Sequence, residues 1–181
     1  MKEFKSCIIK AETGSGKTLS YLVPIIDDLL RKPEKIQRKE GAYVLIICPT
    51  RELAIQVEKV AKSMTHWFPW IVTGLLVGGE DVHHEKARLR KGLNIVISTP
   101  GRTLYHLQKT QSFGMGSLEY LIFEECDRTL DLGFKDEVNE VLEILHDKKS
   151  LFKLCKLLVT ASFNEKMEKL CFDGLLIEKE E

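Results

Sequence analysis

The sequence lacks the features that mark several large classes of protein. It has no excess of one charge, because 27 lysines and arginines balance 27 aspartates and glutamates in 181 residues. Its five cysteines form no C-x-x-C pair, which favours reduced thiols over disulfides or a zinc site. No apolar run is long enough to span a membrane, and no secretory signal is present. An intracellular soluble domain is therefore predicted, and any binding to nucleic acid must come from local patches.

Short apolar runs alternate with helical patterns along the chain. Nearly continuous apolar runs indicate strands buried on both faces, as in parallel sheets covered by helices. We predict one α/β domain with a mostly parallel sheet and helices on both faces, and ligands at the carboxyl ends of the strands. The charged segment Arg31–Gly41 is predicted to be an exposed loop. The predicted strands are Cys7–Lys10, Tyr43–Cys48, Ile71–Val77, Asn94–Ser98, Tyr120–Phe123 and Leu157–Thr160.

The segment AETGSGKT, Ala11–Thr18, follows the first predicted strand and opens a helix. Its glycines let backbone amides approach a polyphosphate, and the helix adds its positive N-terminal end. Lys17 would reach the β- and γ-phosphates as a binding and catalytic group, and the Thr18 hydroxyl would ligate Mg²⁺. The alternative is a Gly-Ser turn followed by a chance Lys-Thr pair. The residues predicted to bind nucleotide are Ala11, Thr13, Gly14, Ser15, Gly16, Lys17 and Thr18.

Four acids lie at or beyond the end of the fifth apolar run, in the stretch LIFEECDRTLDLGF, Leu121–Phe134. A P-loop ATPase needs one acid in the shell of the Mg²⁺ ion and one carboxylate that orients the attacking water. We predict that Glu124 is the metal-shell acid, together with Thr18, and that Glu125 is the catalytic base. The alternative is that these acids cap a helix beginning near Asp127, which we expect to hold in part for Asp127 itself.

Six motifs together resemble those of the N-terminal RecA-like domain of DEAD-box RNA helicases, over nearly all of the chain. The resemblance implies that the cofactors are ATP and Mg²⁺, and that ATP hydrolysis drives RNA remodelling when this domain is joined to a second one. HLQKTQSF, with RTLDLGF, resembles the ribosome-biogenesis branch of the family and predicts a location in the nucleus or nucleolus. The motifs are AETGSGKT, PTRELAIQ at Pro49–Gln56, Gly78–Gly79, TPGR at Thr99–Arg102, EECD at Glu124–Asp127 and TAS at Thr160–Ser162.

The same resemblance assigns contacts to RNA and residues for coupling. Backbone amides, hydroxyls and arginines suit contacts to sugar and phosphate without reading the bases. Asp127, Thr160 and Ser162 are implied to couple the state of ATP to closure of the two domains. The residues implied to line the RNA face are Pro49, Thr50, Arg51, Gly79, Thr99, Gly101 and Arg102.

Departures from the family pattern predict reduced activity. Glu124 replaces an aspartate, and its extra methylene is expected to disturb the geometry around Mg²⁺. Only ten residues precede Ala11 and the first glutamine is Gln37, so the glutamine motif that reads adenine is expected to be missing, as is the second RecA-like domain. An arginine from that domain can contribute about 10³–10⁵ in rate. The chain alone is expected to be a monomer with weak nucleotide binding and very slow or no hydrolysis.

Two other functions compete with that of a helicase. A non-hydrolysing scaffold that binds RNA or protein is favoured by Glu124 and by TAS, in which serine and threonine are exchanged. A small-molecule P-loop kinase would need a lid of arginines, which the sequence does not show.

Three surface features have two interpretations each. PTRE fits an RNA contact and also a proline-led helix start capped by Thr50. KARLRK, Lys86–Lys91, is expected to be a solvated helix face, the alternative being an electrostatic contact with RNA. Trp67 and Trp70 are expected to pack at a loop, the alternative being a stack on a base.

Overall fold

Six parallel strands form one sheet in the computed structural model, which describes residues 6–12, 14–148 and 154–162. Five of the strands lie within the apolar runs predicted from the sequence, and the sixth begins slightly earlier, at Cys155. The predicted α/β class with a parallel sheet is therefore confirmed. The strands are β1 Cys7–Lys10, β2 Val44–Ile47, β3 Thr73–Leu76, β4 Ile95–Ser98, β5 Tyr120–Phe123 and β6 Cys155–Thr160.

Helices connect the strands, and their first turns carry recognisable start signals. The Thr50 hydroxyl accepts a hydrogen bond from the Leu53 amide at 3.3 Å, which confirms the predicted cap of the second helix. Asp81 caps the third helix through the His83 amide at 2.8 Å, and Pro100 stands at the start of the fourth. The helices are α1 Lys17–Leu30, α2 Arg51–Thr65, α3 Val82–Lys91, α4 Pro100–Lys109, α5 Cys126–Asp131 and α6 Lys135–Lys148.

Alternating side chains of each strand enter two separate apolar clusters, one on each face of the sheet. In β2, Leu45 and Ile47 join the cluster that α3, α4 and α6 cover, whereas Val44 and Ile46 join the cluster that α1 and α2 cover. All four of these side chains are fully buried. Each such burial contributes roughly 1.5–3 kcal/mol, so the two clusters hold the sheet between two layers of helices. Within the described residues, no helix is both long and apolar enough to cross a bilayer.

The strand order divides the carboxyl edge of the sheet into two halves. The order is β1-β6-β5-β2-β4-β3, and all neighbours are parallel, so every strand ends at the same edge. The loops after β1, β6 and β5 therefore lie side by side, and so do the loops after β2, β4 and β3. These two groups carry the six motifs found in the sequence.

The charged segment Arg31–Gly41 is only partly the exposed loop that its composition predicted. Ile36 is 3% exposed and packs into the cluster under α1 and α2. Arg38–Glu40 forms a short 3₁₀ turn, and Arg38 Nε donates a hydrogen bond to the Gly92 carbonyl at 2.9 Å. The segment therefore covers part of the core through Ile36 and contacts the end of α3 through Arg38. Its composition does not reveal these two partners.

Gly92 ends α3 at this contact and needs to be glycine. Its φ of 89° and ψ of 142° belong to a region that side chains rarely adopt. A Cβ at this position would lie 2.0 Å from the carbonyl oxygen of Arg38. The backbone of the turn after α3 thus packs directly against the backbone of the Arg38–Glu40 turn.

The two tryptophans behave differently from each other. Trp70 packs against the cluster under α1 and α2, and the Lys35 ammonium lies 4.4 Å from the centroid of its ring. Trp67 is 79% exposed and stands edge-on to His66. The predicted packing at a loop is confirmed for Trp70 and is wrong for Trp67.

Candidate functional site

Two glycines shape the loop between β1 and α1. Gly14 and Gly16 have φ values of 81° and 86°, which glycine adopts without strain. A Cβ at either position would meet nothing within 4 Å, so the backbone at both glycines faces open space. This shape suits a loop that wraps a phosphate with its amides. Thr13, also predicted to bind nucleotide, lies outside the described residues.

Two hydrogen bonds join residues within the same loop. Lys17 is 8% exposed and its ammonium donates a hydrogen bond to the Ala11 carbonyl at 2.7 Å. The exposed Ser15 hydroxyl donates to the Glu12 carbonyl at 2.7 Å. The lysine therefore lies within its own loop at the N-terminal end of α1, where an anion would also meet the positive end of that helix.

Glu124 at the end of β5 contacts the first turn of α1 directly. It is 2% exposed, and its Oε1 accepts hydrogen bonds from the Thr18 hydroxyl at 3.1 Å and the Tyr21 hydroxyl at 2.8 Å. Burial raises the pKa of Glu124, and the two hydroxyls and the charge on Lys17 oppose that rise by stabilising the anion. The structure thus brings together Thr18 and Glu124, the two residues predicted to hold the metal.

The residues at this contact fit a magnesium ion. Mg²⁺ prefers oxygen ligands and keeps much of its water, and the Thr18 hydroxyl and Glu124 carboxylate are oxygen groups beside an open phosphate loop. Among the described residues, no group of three or more His, Cys, Asp or Glu side chains could hold a metal ion alone. The Glu124 carboxylate lies within hydrogen-bonding distance of the Thr18 hydroxyl.

Glu125 occupies a strained backbone position next to Glu124. Its φ of 47° and ψ of 55° are left-handed, and it is the one non-glycine residue with positive φ in the described part of the chain. Such a conformation costs on the order of 1–3 kcal/mol and is concentrated at functional sites. The turn separates the two acids, because Glu124 is buried against α1 while the partly exposed Glu125 lies 3.3 Å from the Arg128 guanidinium.

The three residues implied to couple domains are in mutual contact. Asp127 Oδ2 accepts hydrogen bonds from the Ser162 amide at 3.0 Å and the Ser162 hydroxyl at 2.9 Å. The Thr160 hydroxyl donates a hydrogen bond to the Ser162 carbonyl. Partial burial alone would raise the pKa of Asp127, but the hydrogen bonds from Ser162 and the Arg128 amide outweigh it and lower that pKa. Asp127 lies in the first turn of α5, and its Oδ1 accepts a hydrogen bond from the Arg128 amide at 3.1 Å, so its predicted capping role holds in part although Glu125 is the N-cap residue.

The other half of the edge joins the loops after β2, β3 and β4. The Arg51 guanidinium donates to the Gly78 carbonyl at 3.0 Å, and a Cβ on Gly79 would lie 2.3 Å from the same guanidinium. Gly101 is exposed with nothing within 4 Å of where its Cβ would be. Pro49 is buried, so it supports the loop beneath the surface.

Arg102 is less exposed than we expect of a residue that lines an RNA-binding face. Its side chain is 15% exposed and lies 3.4 Å from the carboxylate of Glu85, a residue that sequence reasoning did not single out. Thr99 precedes α4 at its N-cap position without a side-chain hydrogen bond to the helix. The arginine in TPGR is therefore held by α3 as well as by its own helix.

The predicted solvated face Lys86–Lys91 is wrong for two of its residues. Leu89 is 5% exposed and packs into the cluster under α3. The Arg88 guanidinium binds both carboxylate oxygens of Glu80 and donates to the Leu75 carbonyl at 2.7 Å. This arginine is a structural contact rather than part of a free basic patch.

Tyr21 is a site residue that sequence reasoning missed. It lies on the same face of α1 as Lys17 and one turn beyond Thr18, a spacing that brings side chains together on a helix. Its hydroxyl donates the shorter of the two hydrogen bonds that Glu124 accepts, 2.8 Å against 3.1 Å from Thr18. The signal was present in the helical spacing, but an aromatic residue in an apolar stripe is normally interpreted as core.

Removing the Tyr21 hydroxyl should therefore weaken the fold. The substitution Tyr21→Phe is expected to lower the free energy of unfolding by about 2 kcal/mol, because a buried carboxylate loses a charge-assisted hydrogen bond. Chemical denaturation followed by circular dichroism measures this. The matched control is Tyr120→Phe, which removes a hydroxyl 2.7 Å from the less buried Asp28 and is expected to cost about 1 kcal/mol or less. Equal losses would contradict the role given to Tyr21.

Known relatives match this chain closely in sequence. It is 44% identical over 165 residues to the ATP-dependent DNA helicase DDX31 of Dictyostelium discoideum, covering 90% of this chain and 18% of that protein. It is 42% identical over 173 residues to the DEAD-box ATP-dependent RNA helicase 17 of Oryza sativa subsp. japonica, covering 90% of this chain and 29% of that protein. The chain thus spans less than a third of the length of either relative.

The fold is also found among solved structures. The structure of Mss116p bound to ssRNA and AMP-PNP matches with a TM-score of 0.83 and 32% identity, covering 98% of this chain and 35% of that one. The family model described as DEAD/DEAH box helicase matches residues 1–170. A match over nearly the whole chain, with the motifs gathered at one edge of the sheet, shows that the chain belongs to the DEAD/DEAH box helicase family.

Proposed function

We propose that this chain is the N-terminal, ATP-binding domain of an ATP-dependent RNA helicase. The observation that carries the proposal is the 3.1 Å contact between Thr18 of the phosphate loop and Glu124 at the end of β5, with Glu125 next to it. This contact brings a hydroxyl and a buried carboxylate together beside the phosphate loop, and Glu125 follows Glu124 in the chain. The names of the relatives and the nucleotide analogue bound to Mss116p support the same activity.

In this proposal each residue of the site has a defined role. The amides of Gly14 to Lys17 and the Lys17 ammonium bind the β- and γ-phosphates. Thr18 and Glu124 would hold Mg²⁺, which when bound neutralises charge that develops on the phosphate oxygens. Glu125 accepts a hydrogen bond from the attacking water and orients it. Tyr21 keeps the Glu124 carboxylate fixed through their 2.8 Å hydrogen bond.

The loops after β2, β3 and β4 form the proposed groove for single-stranded RNA. Arg51 and the exposed Gly101 present a guanidinium and open backbone to sugar and phosphate, which suits binding without base readout. One relative is named a DNA helicase and another an RNA helicase, while Mss116p was solved with ssRNA. We favour RNA, and comparison of RNA and DNA oligonucleotides of one sequence tests this choice.

We further propose that the longer protein supplies a second RecA-like domain and acts in the nucleus or nucleolus. The Asp127–Ser162 contact at the carboxyl edge of the sheet supports this proposal, because a second domain would meet the nucleotide there. The chain alone is proposed to be monomeric. Adenine selectivity is proposed to depend on a glutamine motif outside these residues.

Replacing Lys17 with alanine tests the nucleotide site in the chain itself. The affinity for Mg-ATP is expected to fall by about 10–100-fold, because one charge-assisted contact to phosphate is lost. Titration with a fluorescent ATP analogue in the presence and absence of Mg²⁺ measures this. The matched control is Lys59→Ala, which removes an exposed lysine on α2 and should leave the affinity unchanged.

The proposal predicts that native binding is weaker when Mg²⁺ is removed by a chelator. It is contradicted if the native chain binds no Mg-ATP, or if the Lys17→Ala variant binds as tightly as the native chain. Circular dichroism of each variant confirms that the fold is retained.

A further inference from the structure

A fully buried carboxylate in α3 connects two loops of the proposed RNA groove. Glu85 is 0% exposed, and its Oε1 accepts a hydrogen bond from the Val77 amide at 2.9 Å. Val77 is the residue just before the Gly78–Gly79 turn. The Glu85 carboxylate therefore holds the backbone from which the loop after β3 departs.

The other oxygen of the same carboxylate binds the helix that carries TPGR. Glu85 Oε2 lies 2.8 Å from His106 Nε2 and 3.4 Å from the Arg102 guanidinium. Because a carboxylate oxygen only accepts, both of these nitrogens act as donors. His106 is also fully buried, and its Nδ1 lies 2.9 Å from the Thr110 hydroxyl. The network thus joins α3, α4 and the end of β3.

A second contact of α3 holds the far end of the loop after β3. The Arg88 guanidinium binds both oxygens of Glu80, which follows Gly79, and the Leu75 carbonyl within β3. The Val77–Glu80 loop is therefore fixed at its start by Glu85 and at its end by Arg88. On its other side, Arg51 donates to the Gly78 carbonyl.

Burying a carboxylate is unfavourable unless it is paired and hydrogen-bonded, so this network needs all its partners. Arg102 has little exposed surface, and its guanidinium lies 3.4 Å from the Glu85 carboxylate and 5.9 Å from the centroid of the Tyr105 ring. A free arginine would lose more side-chain entropy on binding phosphate than one already held in place. The contact therefore prepares Arg102 and its loop before RNA arrives.

We propose that Glu85 is a positioning residue that locks the loops Val77–Glu80 and Thr99–Arg102 into one preformed surface for the sugar-phosphate backbone of single-stranded RNA. This rests on the RNA-binding function proposed above. Glu85 does not touch RNA; it acts through Arg102 and the Val77 amide.

The substitution Glu85→Gln removes the negative charge of the side chain but keeps its size. The side-chain carbonyl of glutamine can still accept from the Val77 amide, and its amide can still pair with His106 in the other tautomer. What it removes is the negative partner of Arg102. The substitution Glu85→Ala also removes the contact with Val77, and its fold is checked by circular dichroism.

RNA affinity in a double-mutant cycle is the first test. Binding of a fluorescent oligouridine to the chain is expected to weaken about tenfold in Glu85→Gln and in Arg102→Gln. Adding Glu85→Gln to Arg102→Gln should change affinity by less than about twofold, because both act through one group. Equal losses in the two backgrounds, or no loss in Glu85→Gln, would overturn the proposal. The matched control is Glu119→Gln, which removes a charge paired with Lys32 at the opposite edge of the sheet.

A readout without RNA keeps failure of this proposal distinct from failure of the RNA function. Hydrogen exchange by NMR is expected to show slow exchange of the Val77 amide in the native chain and in Glu85→Gln, and fast exchange in Glu85→Ala. The guanidinium protons of Arg102 should be protected in the native chain and lose protection in Glu85→Gln. If the native chain shows these patterns but binds no oligouridine, the loops are locked and the RNA function is wrong. If the exchange patterns are missing, Glu85 is not the positioning residue, whatever the RNA result.

Discussion

Replacing Glu125 with glutamine is expected to slow ATP turnover by about 10²–10⁴-fold while leaving the affinity for Mg-ATP nearly unchanged. Glutamine keeps the size of the side chain but cannot act as a base for the attacking water. The contact of Glu124 with Thr18 and Tyr21 does not involve Glu125, so the proposed metal site should survive. The measurement is steady-state phosphate release, with saturating RNA, by a protein that joins this chain to a second RecA-like domain.

The control is Glu143→Gln, the same change at an exposed position on α6, which should leave turnover unchanged. A native two-domain protein that releases phosphate no faster than its Lys17→Ala variant would instead favour the non-hydrolysing scaffold. In that case Glu124→Asp decides whether the longer acid is the cause, since restoring the shorter arm should raise the rate.

Replacing Gly92 with alanine is expected to lower the free energy of unfolding by about 3–5 kcal/mol. The new Cβ would lie 2.0 Å from the Arg38 carbonyl oxygen, which is backbone and cannot swing aside, and the φ of 89° adds strain. Relief would require the Arg38–Glu40 turn to separate from the end of α3. Urea denaturation at constant temperature measures the loss.

The matched control is Gly133→Ala, at a φ of 87° but with nothing within 4 Å of the added Cβ. It isolates backbone strain without a clash and is expected to cost about 1 kcal/mol. Similar losses at the two positions would show that the contact with Arg38 is not what requires glycine at position 92.

The sequence predicted the sheet and the position of the loop between β1 and α1 well, and the reason is local. A buried parallel strand must be apolar on both faces, so runs such as Tyr120–Phe123 are visible without knowing their neighbours. The phosphate loop is equally local, because strand, glycines, lysine and helix follow one another in the chain. Helix starts such as Thr50 depend on a few adjacent residues only.

The contacts that sequence reasoning missed depend on partners far apart in the chain. Glu85 stands in a strongly charged segment that resembles a solvated helix, and its burial depends on Val77, Arg102 and His106 all meeting it. Ile36 is one apolar residue among charges, so composition hides its place in the core. Such cases need the arrangement of three or more elements, which residue periodicity does not contain.

The position of β1 at the sheet margin has a consequence for how this chain reaches its native state. Among the described strands, β1 pairs with β6 alone, joining Cys7 to Leu157, about 150 residues later. Pairing between strands this far apart in the chain must overcome loop-closure entropy first, which slows folding. During synthesis, β1 must wait about 150 residues for the strand with which it pairs. The phosphate loop that β1 carries should therefore be the final part of the domain to gain its ligand affinity.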